Sequence, residues 1–435
     1  MTPRMGRGNN QRRVGGSAVT PLQFGLLFSA MLVAAAGNTA LQSVMPAIGR
    51  EIGIADFWVA IAYTWSAVLW VLLAPFWARQ SDHHGRKALT LLGLLGFIVS
   101  MTLCGLTLVA GLHGWLGGAL TFLLFGLFRA IYGGLGCATP SATQAYLASK
   151  TRRTARTSAL SALSSSFGLG TVIGPALAPL FVLPFVGLPG PLFAFALIAI
   201  AVAASIMLWL PNDAAEPREG RGAAMSYPSL ASMVTGASVK AATAPTRQDR
   251  LSWRDPRIRD WILAGVASGH AQAGGLTCLG FFIIDQLQLQ PNGAETSIAI
   301  VMMAGAAATL VAQWGLIPRL AMGPRPLILW GSAIAAVGLL ATMFATDLYG
   351  LVLGFSITSI GFGFTRPGFT AGASLAVPLS EQGAVAGVIT SANGISYVAA
   401  PTLAMAMYEL DTHLPFGAAT LLLVAVIAWG RKRLA

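Results

Sequence analysis

The sequence predicts an all-α polytopic membrane protein, with twelve transmembrane helices forming two pseudo-symmetric six-helix bundles. Three observations carry that expectation. Of 435 residues, 55% are hydrophobic and 10% charged, with a mean hydropathy of +0.70, whereas soluble domains carry about 25% charged residues. Apolar runs recur along the whole chain, each long enough to cross a bilayer at about 20 residues of helical rise. The chain also repeats itself. SSSFGLGTVIGPALAP (164–179) sets Ser166, Gly170, Gly174 and Ala178 four apart on one helix face, with Pro175 after Gly174. Adding 226 to each number gives Ala392, Ser396, Ala400, Ala404 and Pro401. A repeat of this kind goes with a site between two matched halves.

The first half, 1–211, holds spans at about 22–45, 57–78, 88–110, 117–148, 158–184 and 191–210. Arg4, Arg7, Arg12 and Arg13 before an apolar run ending AAAG look like a secretory signal. The apolar pattern continues through Met45, so this run is expected to stay as the first helix. It carries Asn38 and Gln42 one turn apart on one face. In the second span, Tyr63, Trp65 and Trp70 either floor a cavity or face lipid. The loop that follows, ARQSDHHGRKALTLLG, gathers Asp82, Gly85, Arg86 and Lys87 into a tight polar turn. Gly85 permits a positive φ, and Asp82 suits a cation or a helix N-terminus. Such a turn can latch one end of the molecule and release it.

The fourth span buries Arg129 roughly a dozen residues in, followed by Gly133, Gly134, Gly136 and Pro140. An arginine at mid-bilayer costs roughly 2.5–3.5 kcal/mol on insertion scales, so a functional or internally paired role is its default. In the fifth span the small face of Gly170 and Gly174 lets a neighbouring backbone approach closely. Pro175 removes an N–H there and predicts a bend. Residues 212–256, rich in Pro, Arg, Ser and Ala, read as a cytoplasmic linker. The second half, 257–435, repeats the plan at 258–284, 297–317, 327–346, 348–376, 384–408 and 415–430. His270 lies about ten residues into the seventh span, and Arg366 in the tenth as a possible gate. An ordinary histidine titrates near pH 6.5, where a proton gradient acts.

Charge placement sets the orientation. With the N-terminus in the cytoplasm, 24 of the 27 Lys and Arg fall on the cytoplasmic side; only Arg50 lies opposite, and Arg129 and Arg366 are within spans. The net charge of +12 therefore reflects topology and an anionic inner leaflet, and gives no support to nucleic-acid binding. Both termini are expected in the cytoplasm. None of the 15 Asp and Glu falls at mid-span; Glu51, Asp56, Asp285, Glu295, Asp347, Glu409 and Asp411 collect at the outer ends. Cys104, Cys137 and Cys278 all sit in apolar segments, with no metal-ligand spacing and no disulfide framework. No G-x-x-x-x-G-K nucleotide cradle occurs. No enzyme site and no cofactor is expected.

Three motifs now point to a family. D-x-x-G-R-K after a second span, here Asp82 to Lys87, resembles the signature loop of the major facilitator superfamily. Ala78 and His83 stand where the family pattern has Gly and Arg. RAIYGGLGCA from Arg129 resembles its fourth-helix pattern of Arg followed by Gly four later. GTVIGPALA, with Gly170, Gly174 and Pro175, resembles the fifth helix of its twelve-helix drug/proton antiporters, the tetracycline and multidrug exporters. In those antiporters the matching Arg takes part in proton coupling, a role the resemblance extends to Arg129. Many of them also carry an embedded acid in the first helix, where this chain offers Asn38 and Gln42.

The resemblance implies a monomeric secondary active transporter of the inner (plasma) membrane. It would export a small organic compound in exchange for protons, by alternating access. Arg129, His270, Asn38 and Gln42 are the candidates for substrate or proton coupling, and Asp82, Gly85, Arg86 and Lys87 form the gating loop. The alternative is transport of an organic anion or siderophore-like carboxylate, in either direction. Buried positive charge without a buried acid favours it. A non-transporting scaffold of the same fold would not need Asp82, Arg129 and Gly174-Pro175.

Overall fold

The computed structural model describes residues 19–151, 156–212, 251–290, 293–378 and 382–434. The N-terminal arginines, the linker over 213–250 and the side chain of Asp82 lie outside the described residues.

Among the described residues fourteen α-helices follow one another. α1 (Pro21–Ile52) starts where Thr20 and Gln23 exchange side-chain-to-backbone hydrogen bonds, both 3.2 Å, with Pro21 behind them; this reciprocal cap meets two otherwise orphaned N–H groups. It stops at Gly53, whose φ is +78°. α2 (Asp56–His84) and α3 (Arg86–Leu112) are joined by Gly85 alone, at φ +86°. That is the positive φ expected of it. α4 (Gly118–Ile131) and α5 (Ala138–Lys150) are joined by a π-turn, Tyr132–Gly136. α6 (Arg156–Leu177) holds Pro175 and relaxes into a 3₁₀ turn at Ala178–Phe181, where the missing N–H predicts loosening. α7 (Gly190–Trp209) ends the first half of the chain.

α8 (Arg259–Gln286) opens the second half. A second π-turn, Val311–Leu316, joins α9 (Ala294–Leu310) to α10 (Ile317–Leu320). α11 (Pro324–Met343), α12 (Leu348–Leu375), α13 (Gln382–Leu410) and α14 (Leu414–Arg433) complete the order. Among the described residues there is no strand, only an isolated bridge between Leu183 and Gly187.

Nine helical segments among the described residues are long and apolar enough to cross a membrane. α6, α8 and α13 are not among them. In α8 the reason is visible, because Ser268, His270 and Gln272 interrupt its middle. The surface is apolar where lipid would lie: Leu197, Met207, Leu208, Leu353 and Leu421 are all exposed. At the basic end, cations meet helix C-terminal carbonyls. Lys87 Nζ donates to Met207 O at 2.9 Å and Arg325 Nη2 to Arg431 O at 2.8 Å, where the helix dipole favours positive charge.

The duplicated small faces both pack on the first helix of their own half. A Cβ on Gly170 would sit 2.7 Å from both Ala35 Cβ and Leu32 O, and one on Gly174 would strike Ala36 O and Thr39 Oγ1. Thr39 Oγ1 also donates to Gly170 O at 3.3 Å. In the second copy, Ser396 Oγ donates to Val266 O at 3.3 Å, and a Cβ on Gly269 would meet Ser396 Oγ at 2.6 Å. So α6 lies on α1 and α13 on α8, each at a separation that a branched side chain would prevent.

Candidate functional site

Two adjoining cavities lie between the halves, each about 960 Å³ including its open mouth. The first is walled by Asn38, Gln42 and Met45 of α1, by Tyr63, Ser66 and Trp70 of α2, and by Arg129 and Tyr132. Leu276, Thr277 and Phe281 of α8, Met302 of α9, and Tyr397 and Pro401 of α13 close the opposite side. The second shares Gln42, Leu276 and Met302 and adds Gly168, Thr171, Gln272, Thr309, Gln313 and Phe362. This size and apolar lining suit a drug-sized organic molecule.

The polar centre is built by the π-turn. Arg129 lies in the last turn of α4, three residues before that turn begins, and the turn projects Tyr132 into the same wall. The extra residue in such a turn frees a carbonyl; here Gly134 O accepts from Trp77 Nε1 at 2.6 Å. Ser66 Oγ donates to Arg129 O at 3.3 Å. A Cβ on Gly133 would collide with Ser66. Arg129 is 3% exposed. Its guanidinium lies 4.7 Å from the ring centroid of Tyr132 and 5.5 Å from that of Tyr63, within cation–π range. Its Nη2 donates to Asn38 Oδ1.

Three of the four residues expected to serve substrate or proton coupling, Asn38, Gln42 and Arg129, therefore line one wall. His270 stands apart. It is half-buried on α8, lines neither cavity, and pairs Nδ1 with Val266 O at 2.8 Å. Gln272, two residues on, does face the second cavity. Arg366 is 8% exposed and lies close to Tyr397, whose side chain lines the first cavity. Tyr63 and Trp70 are seven apart and share the cavity face; Trp65 is 51% exposed on the other side of α2.

Sequence reasoning missed Arg50. At the end of α1 it donates through Nη2 to Asp56 Oδ2 at 2.7 Å and to Asp285 Oδ2 at 2.8 Å, and through Nη1 to Asp285 Oδ1. Tyr408 OH donates to Asp285 Oδ2 at 2.5 Å, and Phe57 N–H to Glu409 Oε1 at 3.2 Å. One step further in, Thr64 and Thr402 hydroxyls meet at 2.9 Å. This network ties α1 and α2 to α8 and α13 at the acid-rich end. The signal was present: Arg50 is the lone basic residue among seven acids at that end.

The chain is similar to known transporters. The profile of the Major Facilitator Superfamily matches residues 27–401. Multidrug resistance protein 1 of Bacillus subtilis (strain 168) is 25% identical over 413 residues, covering 93% of this chain and 94% of that protein. Multidrug resistance protein MdtG of Proteus mirabilis (strain HI4320) is 27% identical over 147 residues, only 33% of each chain. Among solved structures, the human organic anion transporter MFSD10 (TETRAN) overlays with a TM-score of 0.62 at 18% identity, covering 94% of this chain and all of that one. A bacterial homologue of the iron transporter ferroportin, in an inward-facing state, overlays at 0.66 and 16% identity, covering 95% of this chain. The structural likenesses speak to the fold, and the profile to the lineage, which is one of multi-pass membrane transporters and not of enzymes. The chain belongs to the Major Facilitator Superfamily.

Proposed function

We propose that this protein is a proton-coupled exporter of a small organic compound, a monomer with twelve spans in two six-helix halves and both termini in the cytoplasm. The halves are 1–211 and 257–435, joined by the linker 212–256. They rock about the central cavity in the inner membrane. The observation that carries this reading is the cavity itself. Residues of both halves line it, Arg129 is buried in its wall, and the Arg50–Asp285 network spans both halves at one end. Opening that end requires the network to part, which is what alternating access demands. The multidrug-resistance names of the relatives support export.

Proton uptake falls to His270. With Nδ1–H held by Val266 O, Nε2 is the nitrogen left to take a proton. The turn Asp82–Lys87 acts as the cytoplasmic latch. Purified protein in proteoliposomes, given ethidium or 2-naphthoate with and without an imposed pH gradient, tests the reading. Transport that responds to the gradient supports it; transport indifferent to the gradient removes proton coupling. Transport of an organic anion or siderophore-like carboxylate, in either direction, is the second reading. It is favoured by one observation: the first cavity holds a buried cation and, among the described residues, no carboxylate.

A further inference from the structure

Arg129 brings a full positive charge into the wall of the first cavity, and the wall provides no counter-ion. The guanidinium's one hydrogen-bond partner among the described residues, Asn38, is a neutral amide. Its Nε and Nη1 have no partner, although the residue is only 3% exposed. The Tyr63 hydroxyl and Trp70 Nε1, in the same wall, also lack partners. Guanidinium and indole N–H groups can only donate, and a hydroxyl can. Buried donors left unmet are costly, so a wall of them selects a ligand rich in acceptors. The guanidinium lies within cation–π distance of the Tyr132 and Tyr63 rings; its Nε and Nη1 donors remain for a ligand. Across the cavity, a second buried cation, Arg366, lies close to Tyr397 of the wall.

We propose that this cavity binds the acidic head of an amphiphilic organic anion, a carboxylate or equivalent oxyanion, directly on Arg129. The Tyr63 hydroxyl and Trp70 indole donate to the oxygens that Arg129 does not take, and the apolar body lies toward Leu276, Phe281 and Met302. Asn38 sets the sign of the ligand. Its amide orients the guanidinium without neutralising it, so the charge is offered to the substrate. An aspartate there would satisfy Arg129 from within the protein, because a charged pair is the stronger partner. The inference rests on the transporter reading of this cavity and names its substrate class.

The test is binding to purified, folded full-length protein by calorimetry, with three probes of one shape: 2-naphthoate, neutral 2-naphthamide and 2-naphthylmethylammonium. Wild type should bind the carboxylate at least ~10-fold more tightly than either isostere, a difference of about 1.4 kcal/mol. Arg129→Gln should erase the preference. Asn38→Asp should erase it as well, because the internal pair is neutral. Should Arg129→Gln fail to fold, Tyr63→Phe and Trp70→Phe should each weaken naphthoate severalfold while leaving naphthamide unchanged. Equal or tighter binding of the amide or the ammonium by wild type, no binding of any probe, or a carboxylate preference that survives in folded Asn38→Asp overturns the proposal. The two readings fail separately. Gradient-driven ethidium transport by a protein that ignores naphthoate sinks the anion site alone; naphthoate binding without gradient-driven transport of any probe sinks proton coupling alone.

Discussion

A guanidinium within cation–π distance of two tyrosine rings and hydrogen-bonded to an amide presents both a charge and a planar fork. Arg129→Lys keeps the charge but not the fork, and Arg129→Ala keeps neither. Losing hydrogen bonds to a charged group costs ~1.5–3 kcal/mol each, so the alanine variant should lose ~10- to 100-fold or more in transport turnover. Lysine should fall between alanine and wild type. Normal turnover by both, at normal expression, would remove Arg129 from the site. His270→Gln should leave binding measurable and abolish the response of transport to an imposed pH gradient; an unchanged response would exclude His270 as the proton carrier. The buried place of Arg129 was legible because charge at mid-span is conspicuous in any sequence. The cavity face of Tyr63 and Trp70 was not. Tyr63 and Trp70 share one side of α2 and Trp65 lies on another, and only the packing decides which face meets the cavity.

Whole helices carry the close contacts and the latch. Gly174→Leu would push a branched side chain against Ala36 and Thr39 of α1. Overpacking costs ~1–3 kcal/mol, so both the melting temperature and transport should fall; wild-type values for each would mean that α1 and α6 do not meet here. Asp285→Asn removes the charge that draws Arg50 across from α1. The expected result is severalfold faster labelling of a cysteine at Leu276, in the cavity, by an impermeant reagent added outside. No increase would show that the network does not hold this end shut. The small faces of α6 and α13 were readable from spacing alone, since small residues four apart state their purpose. The π-turns at Tyr132–Gly136 and Val311–Leu316 were not. A π-turn inserts one residue without changing the apolar composition of the span, and its position depends on what packs around it. The Arg50 network was hidden for another reason: its partners are 6 and 235 residues away, and no local pattern links them.

At the scale of the whole molecule, the basic and acidic ends distinguish the two faces of the membrane. Cysteines at residues 230 and 435 should label from the cytoplasm and one at residue 292 from outside; outside labelling at 230 would break the six-plus-six arrangement. Alternating access makes the more demanding claim, that the acid-rich end must open in every cycle. Thr64 and Thr402 meet across the halves at that end, with hydroxyls 2.9 Å apart, close enough for paired cysteines to form a disulfide without large movement. Cys104, Cys137 and Cys278 are buried and are replaced in the same background. Transport by the Thr64→Cys/Thr402→Cys protein in proteoliposomes, measured before oxidation, after it, and after reduction, is the most direct measurement. The account predicts that oxidation stops transport and reduction restores it. Undiminished transport with the disulfide fully formed would contradict the account.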